Sequence, residues 1–240
     1  MLPTIETPKY TVTIPSTKKT VEIRPYRVKE EKILMIAIES ADEKQIMMAV
    51  KDIIRGCTFD KVNPDELTTT DLEYLFLKLR AKSVGENVAI TLKCQEKDCI
   101  GQIEMDIDLD SIEPVSTGNG FTSNKIELSN TIGMTLRPIT VRTLGKLNAN
   151  TKDDDKGQRI TNAIIATIDT IYDDKGVYRA EDYSISDMTK FVDSLSAAHV
   201  KQIQSYIETQ PQLSKVVNYT CPKCKKKHSL TLKGLQSFFV

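Results

Sequence analysis

The sequence predicts an α+β fold: an N-terminal β-hairpin and helices, then paired ribbon-like β-hairpins split apart by a helical insertion. Three observations predict it. Some short segments alternate apolar and polar residues with a period of two, others repeat apolar residues at helical spacing, and two close cysteine pairs each fall between strand-like segments. On this reading 1–27 is the N-terminal hairpin and 28–86 a helical segment. The ribbon-like β-module is formed by 87–110 together with 214–240, and 111–213 is an inserted region of strands and helices.

The first hairpin comes from "KYTVTIPSTKKTVEIRPY", where Tyr10, Val12 and Ile14, then Val21 and Ile23, alternate around a Pro-Ser-Thr-Lys-Lys turn. "VKEEKILMIAIES" and "DEKQIMMAVKDIIRG" follow as two helices, the second opened by Asp42 as N-cap and closed by Gly56. In "TTTDLEYLFLKLRAKSVGE", Thr70 and Glu73 have capping-box spacing, Leu72, Leu75, Phe76 and Leu79 share a face, and Gly85 is the stop. "NVAITLK" then reads as a strand through Val88, Ile90 and Leu92. After Cys99 a second strand places Ile103, Met105, Ile107 and Leu109 opposite an acidic row of Glu104, Asp106 and Asp108.

"SIEPVSTGNGFTSN" has no period and reads as a loop. Its Gly118-Asn119-Gly120 lacks the lysine and hydroxyl residue of a phosphate-binding loop. "KIELSN" and "GMTLRPIT" read as strands. Ile160, Ile164, Ile165, Ile168 and Ile171 predict one long amphipathic helix, and "SISDMTKFVDSL" and "SAAHVKQIQSYIET" two more. Asp153-Asp154-Asp155 is a loop and helix-start signal and Asp173-Asp174-Lys175-Gly176 a turn, since neither has the alternating carboxylates of an EF-hand. The final pair of strands is "LSKVVNY" and "SLTLKGL". The closing Phe238-Phe239 reads as a tail packed on its own core.

The 33 basic and 33 acidic residues cancel, so no general field draws the chain to nucleic acid or an anionic membrane. The opening residues have neither the basic start nor the apolar run of a signal peptide, and no stretch approaches the roughly 18 to 20 apolar residues of a membrane span. The expectation is a soluble protein made in a reducing compartment. There, Cys94, Cys99, Cys221 and Cys224 read as metal ligands, and Cys57 as a buried thiol.

Cys94-Gln-Glu-Lys-Asp-Cys99 and Cys221-Pro-Lys-Cys224 each lie between two strand patterns, so each is a knuckle that presents two thiolates. Zn²⁺ takes four such ligands in a tetrahedron, and the two knuckles together complete a zinc-ribbon-like site. A structural ion in small peptides contributes roughly 10–16 kcal/mol. The alternative is a set of reduced thiols, because split knuckles are less specific than a contiguous finger. His228 reads as an exposed histidine of the lysine-rich turn rather than as a replacement ligand.

Four thiolates leave no open position for catalysis. No nucleophile elbow is present, and His199 is followed by Val200 and Lys201 rather than by the His-x-Glu of a nucleobase deaminase, so an enzyme is not expected. Lys223, Lys225, Lys226 and Lys227 form a basic tip that suits phosphate. If the hairpins pack together, however, the acidic row of Glu104, Asp106, Asp108 and Asp110 neutralises it, and no aromatic side chains interleave it for base stacking.

Taken together, the helix "DLEYLFLKLRAKSVGE" before a strand and cysteine pair, the hairpin "NYTCPKCKKKHSLTL" and the closing "LKGLQSFF" resemble the baseplate hub proteins of T-even-type contractile-tailed bacteriophages. The resemblance covers most of the chain and rests on order and spacing. It implies a non-enzymatic structural or assembly protein, located in the tail baseplate of the virion or in the host cytoplasm during assembly. Its implied partners are other baseplate and tail proteins, with no small-molecule substrate, membrane or nucleic acid. Of the residues, only the cysteines carry over. The competing reading is a zinc-ribbon nucleic-acid-binding regulator.

Overall fold

The computed structural model describes residues 6–116, 123–149, 155–234 and 237. The Gly-Asn-Gly stretch, Asp153, Asp154 and the two terminal phenylalanines lie outside them. In chain order the elements are β1 (Tyr10–Thr13), β2 (Thr20–Ile23), α1 (Val28–Glu39), α2 (Glu43–Cys57), α3 (Thr69–Ser83), β3 (Asn87–Lys93), β4 (Gln102–Asp108) and β5 (Pro114–Val115). They continue with β6 (Lys125–Glu127), β7 (Gly133–Leu136), α4 (Val141–Asn148), α5 (Lys156–Thr167), β8 (Ile168–Tyr172), β9 (Val177–Arg179), α6 (Ile185–Asp193), α7 (Ala197–Thr209), β10 (Gln212–Thr220) and β11 (Lys227–Lys233). The fold is α+β, built on small antiparallel sheets. No helix among the described residues is long and apolar enough to cross a membrane.

The chain divides into two compact units. The first comprises Met1–Pro64, Thr70–Val115 and Gln212–Val240. Here β1 pairs with β2, β3 with β4, and β10 lies between β11 and β5. The alternation read from the sequence decides which side chains turn inward. Ile90 and Leu92 of β3, Ile107 of β4, and Val217 and Tyr219 of β10 pack on Tyr74 and Leu77 of α3 in one buried cluster.

Polar pins fix the helices of this unit. Asp42 caps α2 by accepting from the Lys44 N–H, at 2.8 Å. Asp71 accepts from both the backbone N–H and the hydroxyl of Ser16, so the β1–β2 turn is held on α3. Glu30, 5% exposed, accepts from Arg24 Nη2 and from the Arg27 N–H, each at 2.8 Å, and fixes the start of α1. Burial alone would raise the Glu30 carboxyl, but these donors hold it below its ordinary value. Helix α2 runs one residue past Gly56 and ends on Cys57, which is fully buried. Burial pushes that thiol up to about 11.

The second unit comprises Asp65–Thr69 and Ser116–Pro211. Its sheet has the order β6-β7-β8-β9, and Met134, Leu136, Ile164, Ile165, Ile168, Met188 and Ile203 form its core with the helices. One expectation fails here. The isoleucine run is not one long helix, because α5 ends at Thr167 and β8 begins at Ile168, where Met134 pairs with Ile171 and Leu136 with Ile168. Thr167, Ile168, Thr170 and Ile171 are β-branched and suit a pleated strand. An available neighbour, β7, decides between the two periods. Helix α4, which the periodicity does not announce, is opened by Thr140, whose hydroxyl accepts from the Thr143 N–H at 3.2 Å.

Candidate metal centre

Each knuckle is shaped by its own backbone. Beyond β3, the Cys94 N–H donates to the Gly101 carbonyl at 2.8 Å and the Cys99 N–H to Glu96 at 3.1 Å, closing the longer loop between the two cysteines. Beyond β10, the Cys221 N–H donates to Lys226 O at 2.9 Å and the Lys225 N–H to Cys221 O at 3.0 Å. Lys225 adopts a left-handed conformation, with φ of 62°, which lets the chain turn back into β11.

The two knuckles face each other within the first unit. Cys94 Sγ lies 3.6 Å from Cys224 Sγ, and Cys99 Sγ 3.7 Å from Cys221 Sγ. All four sulfurs lie within 4.8 Å of one another. A Zn–S bond of about 2.3 Å sets the edge of a sulfur tetrahedron at about 3.8 Å, so the spacing suits one tetrahedral ion. The structure therefore brings together the four cysteines picked out in the sequence, as a group that could hold a metal ion. Cys57 lies apart from them, in the α2 core.

Three further features build the cradle. Gly101 is buried, and a Cβ added there would meet Cys221 Sγ at 2.4 Å and Cys99 Sγ at 3.3 Å, so the loop can pass the sulfurs only without a side chain. The Tyr219 hydroxyl donates to Lys93 O at 2.7 Å, joining β10 to the residue before Cys94. Lys226 Nζ pairs with Glu96 at 2.7 Å across the two knuckles.

Backbone N–H groups also point at sulfur. The Cys224 N–H, working against burial and helped by the Lys223 N–H, holds Cys221 down to about 6. At Cys94 the Glu96 N–H acts in the same sense, but burial and the neighbouring thiols outweigh it and push the thiol up to about 12.

His228 departs from expectation. It is half-buried rather than exposed, because β10–β11 pairing sets it opposite Tyr219, with ring centroids 5.2 Å apart. Its Nε2 lies 3.3 Å from Cys94 Sγ. Among the described residues no ion pair joins the acidic row to the basic tip: Lys226 takes Glu96, and Asp110, the last of the row, takes Lys82 at 2.8 Å.

The chain was compared with known proteins. It is 25% identical over 222 residues to Baseplate hub assembly protein gp26 of Enterobacteria phage T4, a match covering 92% of this chain and 93% of that protein. No solved structure matches the chain. The family described as T4 bacteriophage base plate protein matches residues 7–240, nearly the whole length. By that match, the chain belongs to the T4 bacteriophage base plate protein family.

Proposed function

We propose that this chain is a non-catalytic assembly protein of the phage baseplate hub, and that Cys94, Cys99, Cys221 and Cys224 hold one structural Zn²⁺. The observation that carries the metal reading is the clustering of the four sulfurs within 4.8 Å, two from each of two hairpins distant in sequence. The hub role rests on family membership and on the printed name of the phage T4 relative. The ion ties β10–β11 to β3–β4. It takes no part in chemistry, since four thiolates fill its coordination sphere.

The partners on this reading are other baseplate and tail proteins, met in the host cytoplasm during assembly or in the virion. The test is complementation. Infected cells lacking the chain should accumulate no complete hubs, wild-type chain should restore them, and Cys221→Ser should restore them poorly. Normal hubs without the chain would refute the role, while full rescue by Cys221→Ser would refute only the metal's part in it.

The lysine tip is the one feature favouring the nucleic-acid-binding regulator, and it predicts a salt-sensitive complex with DNA that Lys225→Glu abolishes. The balanced charge of the chain argues against that reading.

A further inference from the structure

Helix α1 carries apolar side chains on every side. Leu34 and Ala37 are buried against the chain's own core, as is Glu30. Yet Val28 is 65% exposed, Met35 56%, Ile36 66%, and Ile33 and Ile38 nearly half. A helix that is apolar all round is normally covered all round. Among the described residues one side only is covered, and clustered exposed apolar residues mark an interaction surface.

The charges on the uncovered side say what covers it. With successive residues 100° apart around the axis, Val28, Lys32, Met35 and Glu39, spaced by four, three and four residues, form one line opposite Leu34 and Ala37. Ile36 lies beside that line. Lys32 and Glu39 stand toward its two ends, and neither has an ion-pair or hydrogen-bond partner among the described residues. The pattern of a base, an apolar middle and an acid is self-complementary when the helix is reversed.

We propose that α1 is covered by α1 of a second copy of this chain, running antiparallel about a two-fold axis that passes between Met35 and Ile36. Lys32 of each copy then faces Glu39 of the other, and Met35 of each faces Ile36 of the other. A parallel pair would oppose Lys32 to Lys32 and Glu39 to Glu39, so the charges select the antiparallel arrangement. Two-fold symmetry makes every contact occur twice. Helix α2 packs beside α1 and adds exposed Met47 and Met48 to the apolar surface of this helix pair. A twelve-residue strip is small for an interface, so the dimer dissociates on the order of micromolar.

Sedimentation velocity of the full chain across the micromolar range tests this, with circular dichroism to show that each variant is folded. Wild type should pass from monomer to dimer. Lys32→Glu alone and Glu39→Lys alone each create two like-charge contacts and should weaken the dimer at least about tenfold. The double variant Lys32→Glu/Glu39→Lys should dimerise like wild type, and an equimolar mixture of the two single variants should form heterodimers, because both of its charged contacts are again opposite. A wild-type chain that stays monomeric overturns the proposal, even if another baseplate protein is found on α1. So does a dimer that either single variant leaves intact.

Discussion

Gly101 is where a single methyl group would decide whether the cysteines can meet. Its Cβ would sit 2.4 Å from Cys221 Sγ, far inside the 3.5–4.0 Å of ordinary contact, and neither knuckle can withdraw without opening the sulfur cluster. Gly101→Ala should therefore weaken metal retention about 10–100-fold, measured by competition with a chelator. Gly145→Ala is the control: nothing lies within 4 Å of its added Cβ, and in helix α4 alanine should stabilise the fold by up to about 1 kcal/mol. Equal metal affinity in both variants would show that the close approach at Gly101 does not matter. The cysteine spacing points to Cys94, Cys99, Cys221 and Cys224 and sets His228 four residues after the last of them, but nothing in the spacing marks Gly101. Gly101 owes its place to Cys221 of the other hairpin, and His228 to its pairing with Tyr219 within its own.

At the scale of elements, local signals were legible and pairing was not. The period-two run "NVAITLK" is β3 from end to end, and Asp42 and Asp155 cap α2 and α5 as their positions suggest. Ile168 and Ile171 satisfy a helical repeat as well as a strand, and the choice is made by β7, which lies more than thirty residues earlier. The two-residue β5 exists only through its pairing with β10, so its own sequence carried no sign of it. Helix α1 shows how a polar group can position an element. Glu30 and Arg24 are both nearly buried, and replacing one partner leaves the other's charge uncompensated, so Glu30→Gln should cost about 3 kcal/mol at neutral pH in denaturant unfolding. The folded carboxyl lies below its ordinary 4.5, so this contribution is complete above that pH and is lost as pH falls through the folded value. Wild type and Glu30→Gln should thus converge in acid. A gap that stays constant down to acid pH would contradict the assignment.

For the whole molecule, the proposed ion is shared by two hairpins contributed by distant parts of the chain. The α+β class and the meeting of the cysteine pairs could be argued from order alone, because strand, cysteine turn, strand occurs twice. The family resemblance likewise rested on the order of elements, which survives when few residues are identical. The direct test is metal content per chain, measured by elemental analysis on purified wild type and single cysteine variants. One zinc per chain is expected in wild type and in Cys57→Ser, with loss in Cys94→Ser and Cys221→Ser alike, and the double variant should be little worse than either single one. Full zinc retained in Cys94→Ser, with loss in His228→Ala, would contradict the account, because the ion would then be held without the first knuckle.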